Sequence, residues 1–170
     1  MCTRPCTPAA KFPLTLGMGE PHVVVNAAAS SGSQGLAAGV YLGANPVDLE
    51  GFVVAMSPLS GAVSAKWTVD PTAQGDGWIA LAEGSNRLFL AGGKDRDGVS
   101  NECLGASAWM VAVPLPLIND PMPVWAYEPA GVEAGTGVAV DEVDGVVYFV
   151  GNANGKGVPM ACTIDGVCPD

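Results

Sequence analysis

Short apolar runs, separated by turns rich in Gly, Pro, Ser and Asp, follow one another along most of the chain. The clearest example spans residues 135–151, where the run Val138–Val140 precedes the turn signal Asp144-Gly145 and the run Val146–Val150 follows it. β-Branched residues favour strands, and an Asp-Gly pair between two such runs favours a tight reversal of the chain. The pattern predicts a β-hairpin closed by Gly151.

The same arrangement recurs 59 residues earlier in the chain without a gap. Ile79–Leu81 corresponds to the first run, Ser85-Asn86 to the turn, and Leu88–Gly92 to the second run. A strand pattern that repeats at a fixed period of this size is typical of proteins built from repeated units. The sequence therefore predicts an all-β fold of four-stranded antiparallel units.

The remaining apolar runs extend each hairpin and divide the chain into about three units of one repeat domain, residues 1–170. The units cover about residues 20–74, 75–133 and 134–168. The third unit lacks a fourth strand, and the spare apolar segment 12–17 is a candidate to complete it, since sheets avoid an open edge.

Two further features bear on how the units are built. The Ala, Ser and Gly stretch Ala27–Gly35 has no large apolar anchor, so we expect a long hairpin loop there. Trp67 and Trp125 occupy matching places on the fourth strands of two units, which predicts that they pack between stacked sheets. Trp78 and Trp109 also have apolar neighbours and are expected to pack inside rather than to bind a sugar.

Composition excludes two classes of partner. The chain has 17 acidic against 7 basic residues, a net charge of −10, and no basic stripe, so nucleic-acid binding is not expected. The longest apolar stretch, Ala106–Ile118, is too short to span a membrane and contains Pro114 and Pro116. With 49% hydrophobic residues, 23 glycines and 14 prolines, the composition indicates a turn-rich β protein with a core rather than disorder.

The five cysteines are Cys2, Cys6, Cys103, Cys162 and Cys168. Their spacing matches no common zinc pattern, so disulfides near the two ends of the chain are the preferred interpretation, with free buried thiols as the alternative. The spacing does not determine which cysteines pair.

Candidate chemistry is sparse. Asp95, Asp97 and Glu102 lie in the densest group of oxygen ligands, which suits Ca²⁺, although a solvated loop without metal is the simpler interpretation. His22 is the single imidazole and begins an apolar strand, and no Gly-x-Ser-x-Gly elbow is present. We therefore assign no catalytic residue.

Two segments carry a resemblance to a known family. The hairpin 135–151 and the strand pair Gly51–Pro58 and Gly61–Trp67 are similar to the blades of bacterial β-propeller proteins with SBBP-type repeats. The resemblance covers about residues 20–168. It implies four-stranded blades and an exported or cell-surface location, although no signal peptide is evident in this chain.

Closed propellers have four to eight blades, so about three blades imply either part of a longer chain or a homo-oligomer. The hypothesis from the resemblance is a non-enzymatic binding or scaffolding module with a protein or glycan partner and no cofactor apart from the candidate Ca²⁺. The alternative is a propeller-fold hydrolase or lyase acting on extracellular glycans, with key residues outside this chain.

Overall fold

The computed structural model describes residues 23–32, 34–42, 49–69, 75–96 and 107–169. These residues form strands and turns, and none of them is helical. The eleven strands are β1 (Val23–Ser31), β2 (Gln34–Leu42), β3 (Leu49–Met56), β4 (Val63–Val69), β5 (Gly75–Glu83), β6 (Arg87–Arg96), β7 (Ser107–Pro114), β8 (Trp125–Tyr127), β9 (Ala134–Asp141), β10 (Val146–Ala153) and β11 (Lys156–Thr163).

The strands form three antiparallel sheets, in each of which neighbours along the chain are neighbours in the sheet. Sheet 1 has the order β1-β2-β3-β4, sheet 2 the order β5-β6-β7-β8, and sheet 3 the order β9-β10-β11. The prediction of an all-β fold with about three antiparallel units is confirmed. The two hairpins that revealed the repeat lie in different sheets, β5–β6 in sheet 2 and β9–β10 in sheet 3.

Sheet 2 lies between the other two and packs on both faces. Alternate residues of β6 point to opposite sides, so Leu88 and Leu90 join the core shared with sheet 1, while Phe89 and Ala91 join the core shared with sheet 3. All four are buried. Because each large apolar side chain contributes about 1.5–3 kcal/mol when fully buried, the two inter-sheet cores are the main source of stability.

The tryptophans pack between sheets, as the sequence predicted. Trp78 of sheet 2 stacks on Trp109 with ring centroids 4.7 Å apart and also contacts Trp67 of sheet 1 at 5.8 Å. Trp125 of sheet 2 meets Phe149 of sheet 3 edge to face at 6.2 Å. Such geometries add to the stabilisation from burial alone.

A glycine recurs on the second strand of each sheet, opposite a β-bulge in the first strand. Gly39, Gly92 and Gly151 occupy this position. A Cβ on Gly39 would lie 1.9 Å from the Val24 carbonyl oxygen. Only a residue without a side chain allows the bulged strand to approach this closely.

One prediction about the strands is wrong. Ala27–Gly35 is not a long loop, because β1 continues to Ser31 and β2 begins at Gln34. The small residues form a strand because they pair with β2 from Ala27↔Ala38 to Ser31↔Gln34. This pairing supplies hydrogen-bond partners to the backbone N–H and C=O groups of β2. Pairing thus overrides the low strand propensity of Ala and Ser.

The proposed correspondences between units also need correction. Trp67 and Trp125 do not occupy equivalent positions in sheets 1 and 2. Trp67 pairs with Val53 of β3, and the residue of β7 equivalent to Val53 pairs with Tyr127. Tyr127 is therefore the equivalent of Trp67 in sheet 2.

The gapless match fails along the first strands too. Ala80 of β5 corresponds to Gly137 of β9 rather than to Ala139. The reason is that the β9–β10 turn is longer than the β5–β6 turn, which is closed by a hydrogen bond from the Gly84 N–H to the Arg87 carbonyl. The segment 12–17 lies outside the described residues.

The Pro-rich connection between β7 and β8 fastens sheet 2 to sheet 1. Leu117 is buried in the shared core, and its backbone N–H donates to Oε1 of Gln34 at 3.0 Å. The next contact is made by Asn119, whose Oδ1 accepts the backbone N–H of Lys66 at 2.9 Å. The connection is therefore an inter-sheet fastening as well as a turn.

Candidate functional site

The antiparallel order places one set of connections at a common end of the sheets. At this end β6 leads to β7, β10 turns into β11, and the chain passes from β8 of sheet 2 to β9 of sheet 3. Segments distant in sequence meet there, which makes this end the natural place for a site.

A pocket of about 390 Å³ opens at this end, at the junction of sheets 2 and 3. It is lined by Ser107, Glu128, Pro129, Ala130, Gly131, Val132, Glu133 and Asn154. The lining therefore comes from the start of β7, the connection 128–133 and the β10–β11 turn.

Backbone hydrogen bonds hold the connection in place. The Ala108 N–H donates to the Val132 carbonyl at 2.8 Å, and the Glu133 N–H donates to the Asn152 carbonyl at 2.7 Å. Gly131 has a φ of 74°, in the left-handed region, where glycine is tolerated at no steric cost. The connection is thus tied to sheet 2 on one side and to sheet 3 on the other.

Two carboxylates face this pocket with different partners. Glu128 forms an ion pair with Lys94 at 2.7 Å. Glu133 accepts the backbone N–H of Asn154 at 3.2 Å. Asn154 (φ 52°) and Gly155 (φ 72°) form the two-residue turn between β10 and β11, a conformation that Asn-Gly pairs favour.

The chemistry of the pocket is that of a hydrogen-bonding site. Glu128 and Glu133 supply acceptors, the hydroxyl of Ser107 can donate or accept, and the amide of Asn154 can do both at once. Lys94 neutralises one carboxylate, so the pocket carries less negative charge than its acids alone would give. Such a set suits a ligand rich in hydroxyl groups.

The predicted metal ligands are described only in part. Asp95 belongs to β6, which continues two residues past Lys94, while Asp97 and Glu102 lie outside the described residues, as does His22. Within the described part of the chain, no three His, Cys, Asp or Glu side chains come together as a metal site. The Ca²⁺ site therefore stays a prediction.

One cysteine pair is joined. Cys162 at the end of β11 forms a disulfide with Cys168 across a sequence separation of six. This agrees with the preference for disulfides near the chain ends. Cys2, Cys6 and Cys103 lie outside the described residues.

None of the pocket residues was a candidate from sequence alone. These residues are scattered along the chain, and no segment that contains them has a composition that indicates a site: Ser107, Glu128, Glu133 and Asn154. The one sequence signal that could have helped is the repeat, because stacked sheets of the same topology place equivalent turns at the same end of the fold. Which side chains line a pocket there depends on packing.

Comparisons with known proteins bear on the fold. A scan against protein-family models and a search of curated proteins found no match. Among solved structures, the chain is similar to the major allergen Mala s 1 of Malassezia sympodialis, with a TM-score of 0.53 and 16% identity over 86% of this chain. The fold is of the β-propeller type.

The similarity extends to the fold alone. This chain spans 46% of the Mala s 1 chain, and the three sheets do not close into a ring within the described residues. The described part of the protein also has no helix long and apolar enough to cross a membrane. Membership of the SBBP-type repeat proteins stays a prediction.

Proposed function

We propose that this chain is a glycan-binding propeller module of an exported or cell-surface protein, and that the pocket at the junction of sheets 2 and 3 is its binding site. The observation that carries the proposal is the convergence of Ser107, Glu128, Glu133 and Asn154 on one pocket, from the start of β7, the connection 128–133 and the β10–β11 turn. The Cys162–Cys168 disulfide supports an oxidising compartment, because such bonds persist mainly outside the cytosol.

A glycan fits this pocket better than a protein segment does. Carboxylate and amide groups form paired hydrogen bonds to neighbouring sugar hydroxyls, and Pro129 offers a flat apolar surface beside them. A peptide would need a row of unpaired strand groups or an apolar groove to dock against. Binding without bond cleavage requires no more than the acceptors and donors described.

The test is electrophoresis of the protein through gels that contain neutral or acidic soluble polysaccharides. Wild-type protein is expected to be retarded by at least one of them. Asn154→Gly, which suits the positive φ at this residue, and Glu133→Gln should weaken retardation at least about tenfold, a loss of about 1.4 kcal/mol. The matched control is Asp144→Asn in the turn at the opposite end of sheet 3.

Two results would contradict the proposal. One is the absence of retardation by every polysaccharide. The other is retardation that both pocket variants leave unchanged, since the ligand would then bind elsewhere.

The presence of two carboxylates in one pocket favours a second candidate function, a glycan hydrolase. Glycosidases use a pair of Asp or Glu side chains as acid and as base or nucleophile, and Glu128 and Glu133 would supply the pair. A retarding polysaccharide should then yield new reducing ends over time. Loss of that product in both Glu128→Gln and Glu133→Gln would identify an enzyme, whereas binding without product identifies the module proposed first.

A further inference from the structure

The turn between β10 and β11 carries a chemically reactive pair of residues. Asn154 is followed by Gly155, and these two residues form the whole turn, since Ala153 already pairs with Lys156. Because glycine has no side chain, nothing at this position shields the backbone nitrogen of Gly155 from the side-chain amide of Asn154. That nitrogen can attack the amide carbon and close a succinimide ring. The pair is therefore a candidate for loss of the amide nitrogen of Asn154.

Both reacting groups are free among the described residues. The side-chain amide of Asn154 has no hydrogen-bond partner there, and neither has the backbone N–H of Gly155. Asn154 is held through its backbone N–H instead, which donates to Oε1 of Glu133 at 3.2 Å. A Cβ at Gly155 would meet no heavy atom within 4 Å, so the turn is open to solvent on that side.

The position of the turn allows it to reach the geometry of attack. Ring closure requires the backbone of Asn154 to leave its folded dihedral angles for a moment. Residues 154–157 are all exposed, and they form the tip of a hairpin whose second strand, β11, is an edge strand. Exposed tips of this kind open locally with very small free energies. The attack therefore does not require the sheet to unfold.

Three other asparagines of the described residues are less suited to the reaction. Asn26 donates its side-chain amide to the Trp78 carbonyl at 2.7 Å, and Asn119 accepts a backbone N–H with its side-chain oxygen at 2.9 Å. Asn152 lies within β10 and is followed by Ala153, whose methyl group shields the next nitrogen. The asparagine of the turn differs from these in both its free amide and the glycine that follows it.

We propose that Asn154 is a self-modification site, at which the folded protein slowly forms aspartate and isoaspartate. A base in the solvent removes the proton from the Gly155 backbone nitrogen, which then forms a bond to Cγ of Asn154. The bond from Cγ to Nδ2 breaks, and Nδ2 leaves as ammonia with a proton taken from water. Water then opens the succinimide at either of its carbonyl carbons. One opening gives aspartate, and the other gives isoaspartate, in which the main chain runs through Cγ.

The reaction changes the pocket because Asn154 lines it. Either product replaces a neutral amide, which donates and accepts hydrogen bonds, with a carboxylate that only accepts. The new charge lies beside Glu133, while Lys94 pairs with Glu128 at 2.7 Å. Isoaspartate also lengthens the main chain of the turn. We expect the pocket to lose affinity as the protein ages, and this consequence, unlike the reaction itself, rests on the proposed function.

Incubation of the folded full chain in heavy-oxygen water, followed by peptide mass spectrometry, tests the proposal. Heavy oxygen should enter at Asn154 at least about tenfold faster than at Asn152 of the same hairpin. Gly155→Asn is the matched variant, because asparagine tolerates a positive φ while its side chain shields the nitrogen, and it should slow the reaction. Circular dichroism during the incubation checks that the protein stays folded.

The proposal would be overturned if Asn154 gained no heavy oxygen in the folded protein or gained it no faster than Asn152. An undiminished rate in folded Gly155→Asn would also overturn it, since the unshielded nitrogen would not be the cause. If Gly155→Asn does not fold, the comparison of Asn154 with Asn152 in the wild type decides.

The effect on the pocket has a separate test. Asn154→Asp, which reproduces one product, should weaken retardation by a polysaccharide at least about tenfold, and unchanged retardation would remove this effect. If no polysaccharide retards the wild type, the proposed function fails while the modification stands. If Asn154 stays unmodified in a protein that polysaccharide retards, the modification fails while the proposed function stands.

Discussion

Gly92 of β6 lies directly against Gly77 of β5, so closely that a Cβ on Gly92 would come within 1.9 Å of the Gly77 carbonyl oxygen. Gly39 stands in the same relation to Val24 one sheet earlier, again beside a bulge. A contact with backbone cannot be relieved by a change of rotamer, because the strand itself must move. We therefore expect the positions of Gly39 and Gly92 to require glycine.

Gly92→Ala should destabilise the protein by about 3 kcal/mol, at the upper end of the cost of overpacking. Gly157→Ala is the control, because a Cβ there has no heavy atom within 4 Å. Urea unfolding of both variants checks the prediction. Equal midpoints for the two would show that the β5–β6 contact relaxes at little cost.

Two adjacent residues of the β7–β8 connection are expected to differ in their contribution to stability. Leu117 is 2% exposed in the core between sheets 1 and 2, whereas Ile118 is 58% exposed. Leu117→Ala should cost about 3 kcal/mol, which lowers the melting temperature by about 6–12 °C in a chain of this size. Ile118→Ala should change it little, and a similar loss in both variants would argue against the fastening role.

The contact between the β9–β10 turn of sheet 3 and Ser85 of sheet 2 is expected to make the stability of the protein depend on pH. Glu142 accepts the backbone N–H of Ser85, and this hydrogen bond lowers the pKa of Glu142 below the ordinary value of a glutamate side chain. A lowered pKa contributes stability that is complete above the unfolded value and is lost as the pH falls through the folded value.

Glu142→Gln should therefore be slightly less stable than wild type at neutral pH, and the difference should shrink as the pH falls from about 4.5 through the lower pKa of the folded protein. Urea midpoints measured across this range, with Asp144→Asn as control, test the sign. A difference that grows towards acidic pH would contradict it.

The disulfide predicts a modest stabilisation. Cys162 and Cys168 close a loop with a sequence separation of six, and a loop of that length is worth about 2 kcal/mol in the chain-entropy model. Cys168→Ala should cost about this amount, and dithiothreitol should then lower the stability of wild type more than that of the variant. Equal responses to reductant would mean that this bond does not support the fold.

Two side chains of β8 donate hydrogen bonds to the chain end around the disulfide, and one of them provides a local readout. The Tyr127 hydroxyl donates to the Pro169 carbonyl at 2.8 Å, and Trp125 Nε1 donates to the Ile164 carbonyl at 2.8 Å. Loss of the Cys162–Cys168 bond should loosen this turn and shift the fluorescence of Trp125. The shift would place the effect at the junction of sheets 2 and 3.

Local pattern alone determined the hairpins at residues 79–92 and 138–151. Their β-branched runs and turn residues act over a few positions and need no distant partner. The recurrence of this pattern also determined that the chain forms stacked antiparallel sheets, since one hairpin cannot bury its apolar face by itself.

Tertiary structure decided what depends on partners far along the chain. Ala27–Ser31 became a strand because β2 needs its backbone groups, and the register of Trp125 followed from pairing with β7 rather than from counting residues. The pocket at Glu128 and Glu133 likewise exists because the start of β7, the connection 128–133 and the β10–β11 turn meet at one end of two sheets. Long-range pairing and packing carry no short-range sequence signal, so only the folded chain reveals them.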